Sequence, residues 1–242
     1  MALTYKFSGH ESFPCKTLWL KKGYDFVANK NDFNSPDAVI TLGVGKNMVA
    51  SIRYWLKVFG ITNPDGSISK IGAYLFNDNT GKDKYLEDLA TLWLLHFNIV
   101  FLREATLYNW FFCGLQRERA QFDRNQVLTF VKLHMIETSK QNLFNENTVK
   151  KDVAVLLQNY SLPRKVCSNE DFSSILIDLD LIRQNTEGKD YYFNVEGKRK
   201  VGEFKQQVQI YSILFKKHSL GVENSSFFLG LLLISCIYRV IC

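Results

Sequence analysis

The segment from Phe7 to Lys16 concentrates side chains that can do chemistry. It carries a histidine, a carboxylate, two hydroxyls and a thiol between aromatic residues. His10 can act as a general base, His10 and Glu11 together can ligate a metal ion, and Cys15 can act as a nucleophile. Adjacent residues usually point apart, so His10 and Glu11 need not face one site. The alternative interpretation is a polar segment that anchors the first helix by hydrogen bonds.

A second set of candidate catalytic residues lies on a predicted helix over residues 84–102. Glu87 and Asp88 are paired carboxylates, which can hold Mg²⁺ or Mn²⁺ for phosphodiester cleavage. On one helix, Asp88 and His96 lie about two turns apart on the same face. Acids in the first turns of a helix also stabilise its dipole without any catalysis. That structural role is the alternative interpretation.

A basic amphipathic helix is predicted over residues 46–59, directly after two glycines. One face is an apolar stripe at helical spacing, formed by Met48, Ile52, Trp55 and Phe59. The opposite face has no carboxylate, and its side-chain types contact phosphates and base edges in the second helix of a helix-turn-helix. The predicted DNA-contacting residues are Lys46, Asn47, Ser51, Arg53, Tyr54 and Lys57. An ordinary amphipathic helix with a basic solvent face is the alternative.

The elements around this helix predict a winged helix-turn-helix. Helices over residues 16–29 and 37–42 precede it, the shorter one after a Ser35-Pro36 start signal. The turn Asn63-Pro64-Asp65-Gly66 follows, between two short strands that would form a wing. We therefore predict a mainly α fold with small β-hairpin wings, in which winged helix-turn-helix units are joined to a helical core.

The remainder of the chain predicts a buried helix and a second, similar unit. Within the predicted helix over residues 84–102, the run over residues 89–102 is almost wholly apolar, and its 14 residues are too few to cross a membrane, which indicates a core helix. Helices over residues 145–160 and 172–182 then precede a β-rich run over residues 191–195. We predict an N-terminal winged-helix unit over residues 1–82 and a helical core over residues 83–140. A second winged-helix-like unit over residues 141–222 and an apolar C-terminal tail over residues 223–242 follow.

The apolar tail contains Arg239 and is short for a membrane span. We expect either a last core helix or a terminus that is truncated or out of frame, with a membrane anchor as the alternative. The chain begins without a secretory signal, and its five cysteines form no Cys-x-x-Cys pair, so a cytoplasmic protein with reduced thiols is expected. No stable membrane association is expected.

The bulk composition is that of a folded protein with a moderate excess of positive charge. The hydrophobic fraction of 46% argues against disorder, and the net charge of +6 suits a polyanionic partner without requiring one. The Gly43–Lys46 segment does not complete a phosphate-binding loop, because Asn47 stands where a hydroxyl residue is needed. Nucleotide hydrolysis is therefore not expected at this position.

Several longer motifs occur together in the chain, at residues 7–15, 42–48, 52–55, 85–88 and 91–96. With these motifs the chain resembles a bacterial domain family of unknown function, whose genes neighbour phosphoadenylylsulfate-reductase-like genes in phage-defence clusters. The B component of the Ssp DNA phosphorothioation system, which is thought to nick DNA for sulfur insertion, resembles this family. The resemblance implies a role in DNA modification, with other proteins of the gene cluster as partners, and it assigns no catalytic residues.

Three hypotheses follow. The first is a protein that binds double-stranded DNA in a phosphorothioation or restriction-type defence system, as a monomer or homodimer. The second is a nickase that uses Mg²⁺ or Mn²⁺ and draws on His10, Glu11, Glu87 or Asp88. The third is a non-enzymatic assembly subunit that binds a sulfur-transfer or ATPase partner.

Overall fold

Three N-terminal helices carry the predicted basic surface. The computed structural model describes residues 5–140, 142, 144–162, 174–185 and 188–194. Its first helices are α1 (Thr17–Ala28), α2 (Ala38–Leu42) and α3 (Lys46–Val58). Gly43 ends α2 with a φ of 62°, a conformation that glycine adopts without strain. All three predicted helices are thus confirmed, with ends that agree to within one residue.

Helices α1 and α3 pack closely because α1 carries a glycine where they meet. A Cβ on Gly23 would lie 2.7 Å from Leu56 Cδ1 and 2.8 Å from Ile52 Cγ2. The predicted apolar stripe of α3 is buried except for Met48, which is partly exposed. Because α3 also packs against α2, its buried sector is wider than that stripe.

The predicted first wing is reduced to a single β-bridge between Thr62 and Ile68. The Ser69 hydroxyl accepts a hydrogen bond from the Gly72 N–H and caps α4 (Lys70–Phe76). The chain therefore enters a helix where the second strand of the wing would have continued.

Helix α5 (Leu89–Phe101) is the predicted core helix, with nine of its 13 residues buried. It begins at the Asp88 cap rather than at residue 84, because Leu86 has a φ of 58°, outside the helical range. Within the described residues, no helix is both long and apolar enough to cross a membrane.

The helix after α5 contains an irregular turn. Helix α6 (Thr106–Trp110) continues through a π-helical turn, Phe111–Leu115, into α7 (Gln116–Glu118). Such turns are rare and are frequent at functional sites. The turn forms one wall of a surface cleft.

The second half contains two helices and a small antiparallel sheet. Helices α8 (Arg124–Glu137) and α9 (Glu146–Tyr160) lie in sequence between the first two strands. The strands are β1 (Gln121–Phe122), β2 (Ile182–Gln184) and β3 (Tyr191–Phe193). They pair in the order β1-β3-β2, with Phe122 opposite Tyr191 and Ile182 opposite Phe193.

Two predictions for this half are confirmed and one is wrong. The predicted helix over residues 145–160 is α9, and the β-rich run contains β3. The helix predicted over residues 172–182 is not formed by its described part, which has a 3₁₀ turn at Ile177–Leu179 and then β2. Asp180, with a φ of 50°, ends the turn. The apolar tail lies outside the described residues.

Candidate functional site

His10 lies inside the protein, with 4% of its surface exposed. Its Nδ1 accepts a hydrogen bond from the Ser12 N–H at 3.0 Å, and its Nε2 lies 2.8 Å from Asp152 Oδ1. Because Nδ1 is an acceptor, the neutral ring carries its proton on Nε2 and donates it to Asp152. Both ring nitrogens are thus engaged in hydrogen bonds, which favours the alternative interpretation that His10 anchors the segment.

The N-terminal loop, residues 8–12, has a strained backbone that α9 holds in place. Four of its residues have positive φ angles of 70°, 102°, 48° and 64°: Ser8, Gly9, Glu11 and Ser12. The Ser8 N–H donates to both oxygens of Asp152, at 3.0 and 3.2 Å. Strain of this kind persists only where the surroundings impose the conformation, and it clusters at functional sites.

Cys15 is not a nucleophile in this structure. Its side chain is fully buried, and burial raises the pKa of its thiol well above the ordinary value. The Cys15 N–H instead donates to Asn159 Oδ1 at 2.9 Å, and Asn159 Nδ2 donates to Tyr108 Oη at 2.8 Å. Helix α9 therefore holds the N-terminal segment at two points, Asp152 and Asn159.

Asp152 and Asn159 anchor the N-terminal segment, and they were not predicted from the sequence. Both are buried on the apolar side of α9 with Val149, Val153 and Leu156. A polar residue within an apolar helical stripe needs a partner when it is buried. That pattern was the available signal, although it does not identify the partner.

The outer face of α3 comprises Lys46, Asn47, Ala50, Arg53, Tyr54 and Lys57. Lys46, Asn47 and Arg53 are exposed, whereas Tyr54 and Lys57 are partly exposed. Arg53 Nη1 donates to Asn34 Oδ1 at 3.0 Å on the surface. The face contains no carboxylate, so its charge is positive.

Ser51 does not belong to this face, and the prediction that it contacts DNA is wrong. Its side chain is completely buried, and its Oγ has no hydrogen-bond partner among the described residues. The physical reason is that α3 packs against both α1 and α2, which cover a wider sector than the predicted stripe.

Lys57 is partly neutralised by an ion pair at the C-terminal end of α3. Its Nζ lies 3.2 Å from Glu104 Oε2, and Lys6 Nζ lies 2.6 Å from Glu104 Oε1. Partial burial raises the pKa of the Glu104 carboxyl, but the hydrogen bonds from Lys6 and Lys57 outweigh it and hold the pKa below its usual value. Glu104 therefore stays ionised and ties the N-terminal segment to α3.

Tyr54 brings the outer face of α3 and the N-terminal loop together. Its ring lies edge-on to His10, with 5.9 Å between the centroids. A Cβ on Gly9 would lie 2.5 Å from Tyr54 Cδ2, so only glycine allows the loop this close. Burial, with added repulsion from the charges of Asp152 and Glu104, raises the pKa of the Tyr54 phenol. The hydroxyl therefore remains a hydrogen-bond donor.

The four candidate catalytic residues do not form one cluster. Glu11 is exposed on the N-terminal loop, whereas Glu87 and Asp88 are exposed just before α5. Asp88 Oδ1 accepts the Ala90 N–H at 2.9 Å, which is the structural role of a helix cap. No described hydrogen bond or ion pair joins Glu87 or Asp88 to His10 or Glu11.

His96 does not share a site with Asp88. Its Nδ1 lies 2.8 Å from Tyr160 Oη in the core, and burial lowers the pKa of its imidazole to about 3. The ring is therefore neutral at physiological pH. Across the described part of the chain, no three side chains of His, Cys, Asp or Glu are grouped as a metal site would require.

Comparisons with known proteins identify two similar solved structures and one matching family. Two solved structures, described as "SspB crystal structure" and "Magnesium ion-bound SspB crystal structure", are similar at 28% and 27% identity, each with a TM-score of 0.65. Each alignment covers 79% of this chain but 60% of the SspB chain. No curated protein matches the sequence. The family described as "Protein of unknown function (DUF4007)" matches residues 7–229, and the chain therefore belongs to this family.

Proposed function

We propose that the protein binds double-stranded DNA through the outer face of α3 and acts in the cytoplasm, in a phosphorothioation-linked defence system. The observation that carries this proposal is the exposed set Lys46, Asn47 and Arg53 on a helix without a carboxylate. Cations and amides of this kind contact phosphates and base edges. Tyr54 adds a phenolic donor at the border with the N-terminal loop.

The similarity to SspB supports the proposed context. SspB shares both sequence and fold with this chain, with 28% sequence identity and a TM-score of 0.65. The partners would be DNA and the other proteins encoded in such a defence cluster. The chain spans 60% of the length of SspB, so the remainder of SspB has no counterpart in the alignment.

The second half supports a further winged-helix interpretation. Strand β1, helices α8 and α9 and the β2–β3 hairpin follow one another, with the strand order β1-β3-β2. In this unit α9 would be the recognition helix, but its Asp152 and Asn159 hold the N-terminal segment. We therefore assign DNA contact to α3 and not to α9.

The salt dependence of duplex binding tests the proposal. A K46Q/R53Q double variant removes two exposed cations from α3. Each lost phosphate contact should reduce the slope of log K against log salt by about 0.9. A K132Q/K151Q variant removes the same charge from exposed positions on α8 and α9 and should leave the slope unchanged. Equal slopes for the α3 variant and the wild type would contradict the proposal.

Nicking is a second candidate function, favoured by the strained N-terminal loop that displays Glu11. Purified protein should then convert supercoiled plasmid to open circles with Mg²⁺ or Mn²⁺, and E11Q should lose that activity. Matched E87Q and D88N variants measure whether the second pair contributes. Plasmid that stays supercoiled with and without the partner proteins would remove this candidate.

An assembly role is favoured by a separate observation on α2. Ile40 is 81% exposed and the adjacent Val39 is 36% exposed, although both are apolar. Apolar side chains grouped on a surface mark protein contacts. Co-purification with a sulfur-transfer or ATPase partner in the absence of DNA, lost in I40E, would support this role.

A further inference from the structure

A surface cleft of about 260 Å³ lies between the π-helical turn and α8. Its aromatic lining residues are Tyr5, Trp110, Phe130 and His134. Trp110 meets Tyr5 and His134 edge-on, with 4.9 and 4.5 Å between ring centroids. The Phe130 and His134 rings are nearly parallel, inclined by 18°. Flat aromatic surfaces of this kind take up a flat ligand by stacking.

The π-helical turn gives the cleft its shape. Cys113 and Gly114 of that turn line it, opposite Phe130 of α8. A Cβ on Gly114 would lie 2.7 Å from Phe130 Cζ. Glycine at this position therefore lets the phenyl ring lie against the turn.

Polar groups at the cleft suit a heterocycle rather than a hydrocarbon. Asn109 Nδ2 donates to the Val100 carbonyl at 3.0 Å, which orients the amide, and no described residue uses its Oδ1. Arg103 is exposed at the rim, and no carboxylate pairs with it in the described part of the chain. An amide acceptor and a guanidinium suit a base edge and a phosphate.

An ion-pair cluster links the chain segments beside the cleft to the C-terminal end of α3. Tyr5 and Arg103, which line the cleft, are the chain neighbours of Lys6 and Glu104. Lys6 and Lys57 bind the two oxygens of Glu104, so one ion-pair cluster joins the cleft rim to the C-terminal end of α3.

We propose that this cleft binds a single purine or pyrimidine base. Its volume is just below the range of roughly 300–1,000 Å³ typical of drug-sized ligands, which fits one base and not a dinucleotide. The base comes either from a free nucleotide or from a DNA strand, where it leaves the stack as in base-flipping proteins. Only the DNA source rests on the proposed function.

The experiment compares two probes on the full chain. Nucleoside monophosphates test the free source, and duplexes with and without one mismatched 2-aminopurine test the strand source. A mismatched base costs less to extrude, so the wild type should bind the mismatched duplex several-fold more tightly, with a change in 2-aminopurine fluorescence. F130A should weaken base binding roughly tenfold, the usual effect of losing one stacked aromatic.

Matched variants separate this proposal from that for α3. L133A truncates an exposed residue on the same helix outside the cleft and should behave as the wild type. K46Q/R53Q should weaken both duplexes equally and keep their ratio. H134A, at a partly exposed position, repeats the test should F130A fail to fold.

The outcomes are distinct. Monophosphate binding that F130A or H134A weakens roughly tenfold supports the cleft with a free nucleotide, even if no duplex binds and the proposed function fails. A mismatch preference lost in the same variants supports an extruded base. The proposal is overturned if neither probe distinguishes these variants from L133A.

Discussion

Helices α3 and α9 both carry polar side chains at helical spacing but use them in opposite ways. Lys46 and Arg53 of α3 face solvent, whereas Asp152 and Asn159 of α9 are buried and bind the N-terminal segment. The difference does not lie in helical periodicity, since both helices have a polar and an apolar side. What packs over each helix decides whether its polar groups face solvent or hold another part of the chain.

The two helices are nevertheless coupled through the N-terminal loop. Asp152 of α9 binds the Ser8 N–H and His10, and the loop packs under Tyr54 of α3. The shape of the proposed DNA-binding surface at Tyr54 therefore depends on the buried carboxylate of Asp152. Changes at the buried polar residues of α9 should act on stability first, and changes at the exposed residues of α3 should act on binding.

The largest effect is expected from D152A. Removing the carboxylate leaves the Ser8 N–H and the His10 Nε2–H without their acceptor, at about 1–3 kcal/mol for each buried donor. The free energy of unfolding should fall by about 3 kcal/mol in urea denaturation. D152N, which retains one carbonyl oxygen, should lose less.

K151A is the matched control for D152A, because it changes the adjacent but exposed residue of α9. Surface substitutions of this kind usually change stability by less than about 0.5 kcal/mol. Equal losses in D152A and K151A would show that the buried pair does not anchor the loop, and the contrast between α3 and α9 would fail.

Much of the α3 region follows from local sequence signals. Glycines bound α2 and α3, and the apolar stripe with Ile52 and Trp55 fixes which side of α3 is buried. The polar residues outside this stripe are then expected to be exposed, and Ser51 is an exception. Its burial depends on how α2 lies across α3, which periodicity along a single helix does not determine.

The α9 region could not be predicted as well, because its contacts are long-range. His10 and Asp152 are 142 residues apart in the chain. The motif around His10 indicated unusual chemistry, but a histidine with two hydrogen bonds and a catalytic histidine have the same local sequence. The predicted first wing is reduced to one β-bridge for a local reason, because Ser69 caps a helix where the second strand would have continued.

The next largest effect is a pH dependence that tests whether α9 belongs to the core. His96 packs against Tyr160 of α9, and burial lowers its pKa to about 3, below the unfolded value of about 6.5. The unfolded state then binds more protons, so stability is full above pH 6.5 and falls as the pH drops toward 3. At pH 5 the loss should be about 2 kcal/mol.

Urea denaturation of the wild type and H96Q at several pH values measures this dependence. The variant lacks the titrating ring, so its stability should change less between pH 6.5 and pH 5, whatever its stability at neutral pH. Parallel profiles for the two proteins would indicate that His96 does not titrate in the way its burial requires.

A smaller effect distinguishes two cations on α3 itself. Lys46 is exposed and forms no ion pair with any described residue, whereas Lys57 is paired with Glu104. K46Q should therefore reduce the salt slope of duplex binding by about 0.9, and K57Q by less. Equal reductions would mean that Lys57 leaves Glu104 when DNA binds.

The smallest effect is expected from S51A, and it tests the boundary of the outer face of α3. The Ser51 hydroxyl is buried without a partner among the described residues, and an unpaired buried hydroxyl costs about 1–3 kcal/mol. Alanine removes that cost but leaves a small void, so S51A should be more stable by up to about 1 kcal/mol. A50S adds a hydroxyl at the adjacent exposed position as the matched comparison. Because Ser51 lies beneath the surface, the affinity of S51A for duplex DNA should equal that of the wild type. Weaker DNA binding by S51A with unaltered stability would indicate that Ser51 does contact DNA.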